Sequence, residues 1–170
     1  MRKIATIATT LMLVLALTAG AAFAATLTGT AGGDSLKGTS KADVLKGLGG
    51  NDLLQGFGGD DFLYGGTGHD GLYGGSGNDT VYGGSGNDRA EERAVYGGQG
   101  NDTLYGDDGD DALYGGPGSD KIYGGGGADW IVSEGDGKAD TVDCGSGVDA
   151  VKASPTEQID RYVGCEKFVY

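Results

Sequence analysis

Proline is almost absent from the chain, with 2 among 170 residues, although glycine is very frequent at 38. Collagen needs glycine at every third position and far more proline, so that reading fails. Basic residues are scarce too: 12 Lys and Arg face 25 Asp and Glu, a formal net charge of −13. That balance argues against nucleic acid and anionic membranes as partners and favours divalent cations. Hydrophobic residues make up only 38%, too few for an ordinary globular core. An acidic, glycine-rich chain stays disordered unless something neutralises its carboxylates. Neither HExxH nor G-x-S-x-G occurs, which removes the usual zinc-protease and hydrolase signatures. The single histidine, His69, confines any Ser-His-Asp arrangement to one loop position. The expectation is a protein that is not an enzyme.

The first residues read as a leader. Arg2 and Lys3 precede an apolar stretch from Ile4 to Ala19, and Ala22-Phe23-Ala24 has the A-x-A cleavage pattern. Together these predict a secretory signal peptide over 1–24, since the apolar core is short for a membrane anchor. The expected setting is secreted, extracellular or cell-wall-associated. Cys144 and Cys165 are the only cysteines. An even count in an exported chain predicts one disulfide. Zinc would need four ligands, which two cysteines and the distant His69 do not supply.

What the chain does have is a period. Asp recurs every nine residues at Asp34, Asp43, Asp52, Asp61, Asp70, Asp79 and Asp88. It resumes at Asp102, Asp111, Asp120 and Asp129 and, after a two-residue slip, at Asp140 and Asp149. An aliphatic residue follows two positions later, as at Leu54, Leu63, Leu104 and Ile122, and glycine stands two positions before most of the Asp. The residues after each Asp favour a short strand with the aliphatic side chain inward and its neighbours outward. Glycine permits the sharp turn between strands.

Segments such as Gly74–Tyr82 (GGSGNDTVY) and Gly97–Tyr105 (GGQGNDTLY) resemble the RTX, or haemolysin-type, calcium-binding nonapeptide G-G-x-G-x-D-x-U-x. The resemblance covers about Gly29 to Lys152, with about thirteen copies in one register. It implies an all-β, right-handed parallel β-roll (β-solenoid) over 25–152, with two nonapeptides per coil and loops alternating between two sides. It also implies several Ca2+ ions, each between two loops of one side and held by Asp carboxylates and backbone carbonyls. The implied carboxylates are Asp52, Asp61, Asp70, Asp79, Asp102, Asp111 and Asp120, then Asp88, Asp129, Asp43 and Asp34. The implied glycines are Gly65, Gly68, Gly74, Gly77, Gly83, Gly86, Gly97, Gly100, Gly115, Gly118, Gly124 and Gly127. Calcium takes six to eight hard oxygens, which this donor set suits, and extracellular modules bind it at roughly 10⁻⁴–10⁻³ M. About six to nine ions are expected from the ligand pattern. Folding should couple to binding, because unneutralised Asp rows repel one another.

The pattern breaks in places. Arg89 to Arg93 intrudes between a good loop and Val95, either as a partner contact or as a tolerated bulge. Lys41 and Lys138 replace glycine two before Asp43 and Asp140, and an ammonium there predicts weak or empty loops. Tyr64, Tyr73, Tyr82, Tyr96, Tyr105, Tyr114 and Tyr123 should form outward rows, as sheet packing or as a platform for an extracellular protein or glycan. Trp130 is also expected to face outward. Residues 153–170, with Ile159, Tyr162, Val163 and Phe168, should cap the last coil, stapled by Cys144–Cys165. The expected function is extracellular calcium binding with calcium-induced folding, in a structural or surface-interaction role. The alternative is adhesion or ligand recognition; the irregular Thr and Asn positions argue against ice binding. A monomer without a membrane span in its mature form is expected.

Overall fold

The structure, a computed structural model, describes residues 24–90, 93–133, 136–153 and 161–169. The leader through Phe23 lies outside the described residues, as do Glu91, Glu92 and Ile159. Strands account for all the regular structure described. In chain order they are β1 (Thr26–Thr28), β2 (Ser35–Lys37), β3 (Val44–Gly49), β4 (Leu53–Gly58), β5 (Phe62–Thr67), β6 (Gly71–Ser76), β7 (Thr80–Ser85) and β8 (Val95–Gln99). They continue as β9 (Thr103–Asp108), β10 (Ala112–Tyr114), β11 (Lys121–Gly127), β12 (Trp130–Ser133), β13 (Thr141–Gly147), β14 (Ala150–Ala153), β15 (Arg161–Val163) and β16 (Lys167–Val169). Odd strands form one eight-stranded sheet and even strands the other, each in sequential order. Every pairing is parallel, so the chain is a β-solenoid with two strands per coil.

Most strands are longer than the three residues that follow each Asp. The glycines that open the next repeat continue the pairing, as in Leu48 opposite Gly66 and Gly49 opposite Thr67. Stacking identical turns lets loop backbone join the ladder wherever its neighbours have the same shape. Partners lie 18 residues apart along the regular part, 23 across the insertion and 20 beyond the slip.

The core is one side chain deep. Leu45, Leu54, Leu63, Leu72, Val81, Val95, Leu104, Leu113, Ile122, Ile131, Val142 and Val151 are all 0% exposed and form a single column. Each buried aliphatic contributes about 1.5–3 kcal/mol. One such residue per nine must offset ordering of the backbone at about 1–2 kcal/mol per residue. The insertion leaves this column intact: Arg93 N–H closes a turn onto Ala90 O at 2.8 Å, and Val95 returns to register beside Leu72 and Leu113.

Outward positions are used for ladders. Tyr64, Tyr82, Tyr105 and Tyr123 stack along one sheet with centroids 4.6–5.0 Å apart, and Tyr73, Tyr96 and Tyr114 along the other at 4.7–4.8 Å. Lys46 extends the first row, its Nζ 5.6 Å from the Tyr64 ring. Trp130 is half-buried on the outer face of β12, between Ala112 and Ala150. At the carboxyl end, Tyr162 and Phe168 meet edge to face at 5.3 Å, and Cys144 is bonded to Cys165. Among the described residues no helix is long and apolar enough to cross a membrane.

Candidate calcium sites

Each repeat places its Asp at the residue before a strand, except that the insertion separates Asp88 from β8, so loops alternate between the two edges of the roll. Asp34, Asp52, Asp70, Asp88, Asp111, Asp129 and Asp149 lead into even strands, along a first edge. Asp43, Asp61, Asp79, Asp102, Asp120 and Asp140 lead into odd strands, along a second. From Asp43 to Asp129 each is 2% exposed or less. Along both edges the Asp N–H donates to Oδ1 of the Asp one turn later, as from Asp52 to Asp70 and from Asp111 to Asp129, at 2.8 and 2.9 Å. From Asp43 onward each carboxylate thus spends one oxygen on the previous turn.

The other oxygen is the informative one. Oδ2 of Asp52, Asp61, Asp70, Asp79, Asp102, Asp111, Asp120, Asp129 and Asp149 is buried with no hydrogen-bond partner. An unpaired buried carboxylate oxygen is expensive. Backbone carbonyls crowd the same spot: a Cβ on Gly65 would lie 2.6 Å from Asp70 Oδ2 and 2.4 Å from Gly83 O of the next turn. The same convergence joins Asp52 with Gly65 O, Asp61 with Gly74 O, Asp79 with Gly97 O and Asp102 with Gly115 O. It also joins Asp88 with Gly106 O, Asp111 with Gly124 O and Asp129 with Cys144 O. Acceptors that meet with no donor between them fit a hard, oxygen-seeking cation. No group of three or more His, Cys, Asp or Glu gathers among the described residues, so such a site would draw on carbonyls as much as on carboxylates.

Electrostatics say the same. Burial pushes the carboxyl of Asp111 up to about 8, those of Asp61 and Asp120 to about 7, and those of Asp52, Asp79, Asp88, Asp102 and Asp129 to about 6. The N–H of the preceding turn's Asp works against burial in each case, and neighbouring Asp charges add to it in most. Arg93 and Arg89 offset burial only in part, at Asp52, Asp88 and Asp129, and the carboxylate form at these sites needs further counter-charge.

The second group of glycines, Gly68, Gly77, Gly86, Gly100, Gly118 and Gly127, stacks turn on turn. A Cβ on Gly86 would sit 1.7 Å from Gly68 O, at a φ of +140°, so only glycine fits there. The second loop position is also left-handed through the middle turns, including Leu48, Phe57 and Asp107 at φ 78, 77 and 70°.

The terminal loops differ. Thr30 and Thr39 occupy that second position without a left-handed φ, as their β-branched side chains require. Their N–H groups turn onto Oδ2 of Asp34 and Asp43, at 2.6 and 2.5 Å. The Thr30 hydroxyl adds a bond to Asp34 Oδ2 at 2.9 Å, and Thr39 Oγ1 approaches Asp43 Oδ1 at 3.2 Å. At the other end, Ser133 Oγ donates to Asp140 Oδ2 at 2.7 Å. In the Asp43 and Asp140 loops protein donors fill the second carboxylate oxygen, and Lys41 and Lys138 are exposed.

A second ladder lies outside the first. Asn51 Oδ1 accepts His69 N–H at 3.0 Å, His69 Nδ1 accepts Asn87 N–H at 3.0 Å, and Asn87 Oδ1 accepts Asp110 N–H at 3.1 Å. Asp60, Asn78 and Asn101 do the same on the other edge. His69 is thus an exposed member of a structural row. The repeat pattern alone does not bring out this ladder, the carbonyls of Gly106 and Cys144, or the free oxygen of Asp149.

The sequence matches the RTX calcium-binding nonapeptide repeat in four copies, over residues 28–56, 37–72, 55–90 and 96–131. None of the curated proteins matches the chain. Repeats of this family bind Ca2+ ions in several sites, its members are generally extracellular or secreted, and its β-solenoids are typically non-catalytic. With the parallel β-solenoid and the matched stretches spanning more than half of its length, the chain belongs to the RTX calcium-binding nonapeptide repeat family.

Proposed function

We propose that this is a secreted calcium-dependent folding module, with 1–24 as signal peptide, 25–152 as the calcium-binding roll and 153–170 as cap. Its role is to present a rigid extracellular rod where calcium is plentiful. The observation that carries the reading is the set of partnerless Oδ2 atoms, of which those of Asp52, Asp61, Asp70, Asp79, Asp102, Asp111 and Asp129 are buried beside a carbonyl of the next turn. The proposed carboxylate ligands are Asp52, Asp61, Asp70, Asp79, Asp88, Asp102, Asp111, Asp120 and Asp129, with first-position carbonyls such as those of Gly65, Gly83 and Gly124. Asp34 and Asp43 are set aside, because Thr30 and Thr39 already satisfy them. When bound, calcium supplies the missing positive charge at these oxygens. The chain's own part is to aim carbonyls and carboxylates at one point and to bury them.

The stacked tyrosines support the structural role over glycan recognition. Their ring faces cover one another at 4.6–5.0 Å, which leaves mainly edges and hydroxyls for a partner. The test is far-UV circular dichroism of the chain from Ala25, titrated with calcium after metal removal, with magnesium as control. A cooperative gain of β signal with calcium alone is expected. A spectrum already folded at neutral pH without metal would sink the proposal.

A further inference from the structure

The first turn of the roll begins on an alanine. β1 pairs with β3 with Thr26 opposite Val44, so Ala25 stands opposite Asp43. Val44 N–H donates to Ala25 O at 2.8 Å, the bond that Phe62 N–H makes to Asp43 O at 2.9 Å. Ala25 N–H donates to Asp43 Oδ1, just as Asp43 N–H donates to Asp61 Oδ1 at 2.7 Å. Ala25 therefore holds the place of an Asp, with the backbone donor of the ladder and no carboxylate of its own. The last turn of the other edge is closed by an acceptor instead: Lys167 pairs with Ala150, and Glu166 Oε2 accepts Asp149 N–H at 3.0 Å.

Asp43 is 1% exposed, against 8% for Asp34, the first Asp of the other edge. Its oxygens have donors, namely Ala25 N–H, Thr39 N–H and the Thr39 hydroxyl. None of these carries a charge, and among the described residues no ion pair reaches Asp43. Lys41, two residues away, is exposed. A buried carboxylate with hydrogen bonds but no cation is still costly. Residue 25 is also where the A-x-A pattern of Ala22-Phe23-Ala24 ends, and cleavage there turns the Ala25 amide into a free α-amino group. Such a group titrates at about 7.7–8.0 and is largely protonated at neutral pH. Ala24 is exposed and Ala25 half-buried, so the contacts of the roll start at the residue that cleavage would free.

We propose that cleavage after Ala24 seats the α-ammonium of Ala25 on Asp43 Oδ1, where it gives the first carboxylate of the second edge a cation from the chain itself in place of calcium. This rests on the leader reading of 1–24. The nitrogen donates to the carboxylate in either state, but only the cleaved chain adds opposite charge, which strengthens the bond. An uncleaved chain starts its roll on a neutral amide and holds β1 less firmly. Removal of the leader thus completes the first turn.

Amino-terminal sequencing of the exported chain is the first test; a start other than Ala25 overturns the leader boundary and the inference with it. The second compares a chain beginning at Ala25 with one beginning at Phe23, in saturating calcium, by amide hydrogen exchange at Val44, whose N–H is held by Ala25 O. The longer chain keeps the Ala25 N–H but moves the charge two residues away. Exchange at Val44 should be several-fold slower in the Ala25 chain. Asp43→Asn, whose amide oxygen can still accept the N–H, should remove that difference; if it loosens the turn, the two unsubstituted chains still decide. Equal rates in those two chains, or a difference that persists in Asp43→Asn, overturn the ammonium cap and leave the leader reading standing.

Discussion

The middle turns and the end turns bury the same aspartate in the same place and satisfy it by different means. At Asp79 one carboxylate oxygen accepts Asp61 N–H and the other meets only acceptors. At Asp43 the first oxygen accepts Ala25 N–H, and the second accepts Thr39 N–H. The difference comes from one residue four positions upstream: Gly75 at φ +121° for Asp79, Thr39 for Asp43. A left-handed glycine points its N–H away and leaves a cation-shaped gap, whereas a β-branched threonine turns its N–H in and fills it. The aspartate ladder is thus a property of the fold, and the unfilled second oxygen is a property of the loop.

The largest expected effect follows from removing the cation and varying pH. In the middle turns burial raises the folded-state carboxyl values to about 6 for Asp79, about 7 for Asp61 and about 8 for Asp111, against about 3.9 in an unfolded chain. The metal-free roll therefore binds more protons than the unfolded chain. Its stability contribution from these groups is full below about pH 4 and is lost as pH rises through the range of about 6 to 8. Metal-depleted protein followed by circular dichroism should gain β signal on acidification from pH 8 to 5. In calcium the order reverses, because protons compete with the ion. A metal-free signal independent of pH would mean that the middle carboxylates are not the barrier to folding.

Asp79→Asn and Asp43→Asn compare the two kinds of loop directly. The middle substitution should lower calcium stoichiometry and raise the calcium midpoint several-fold, while making the metal-free chain easier to fold at neutral pH because a repelling charge is gone. The end substitution should leave calcium stoichiometry unchanged and only weaken a hydrogen-bonded cap. Calcium titration by isothermal calorimetry separates the two, and equal losses of bound calcium would erase the distinction between middle and ends.

Much of this is legible in the sequence. The nine-residue spacing of Asp and the aliphatic two positions later suffice to place Leu54, Leu63 and Ile122 in the core and the carboxylates at the edges, since each is a local periodic rule. The ends are harder to read. Thr39 acts through a backbone dihedral and Ser133 through a hydroxyl that reaches seven residues ahead, and neither changes the Asp pattern. Lys41 attracts attention as a charge beside Asp43, yet its side chain is exposed and its N–H bonds to Thr39 Oγ1 at 3.1 Å. Glu166 is hidden because its turn has a different length and a different acid, and only the pairing of β16 with β14 reveals its equivalence to Asp149.

The disulfide offers an intermediate effect confined to one end. Cys144 and Cys165 close a loop of 21 residues, so replacing both by serine should cost about 3 kcal/mol in the chain-entropy account. Thermal unfolding in saturating calcium should show that loss in the turns carrying β15 and β16, with the tyrosine ladders of the middle turns melting close to their original temperature. Solenoids couple each turn mainly to its neighbours, which is why the damage should stay local. A uniform shift of every probe would instead indicate one cooperative unit.

The smallest effect belongs to the opposite end. Thr30→Val keeps the β-branched shape, and hence the ordinary φ that aims the Thr30 N–H at Asp34, but deletes the hydroxyl that donates to Asp34 Oδ2 at 2.9 Å. A hydrogen bond to a charged group is worth about 1.5–3 kcal/mol, and the partial exposure of this pair places the expected loss near the lower figure. Calcium stoichiometry should not change. Thr30→Gly is the sharper version: glycine can adopt the left-handed conformation of Gly75, turning the N–H away and leaving Asp34 in the state of the middle aspartates. The glycine variant should therefore become more dependent on calcium than the valine variant, although both lose the same hydroxyl. If the two variants respond to calcium alike, the loop backbone does not decide which aspartates require the ion.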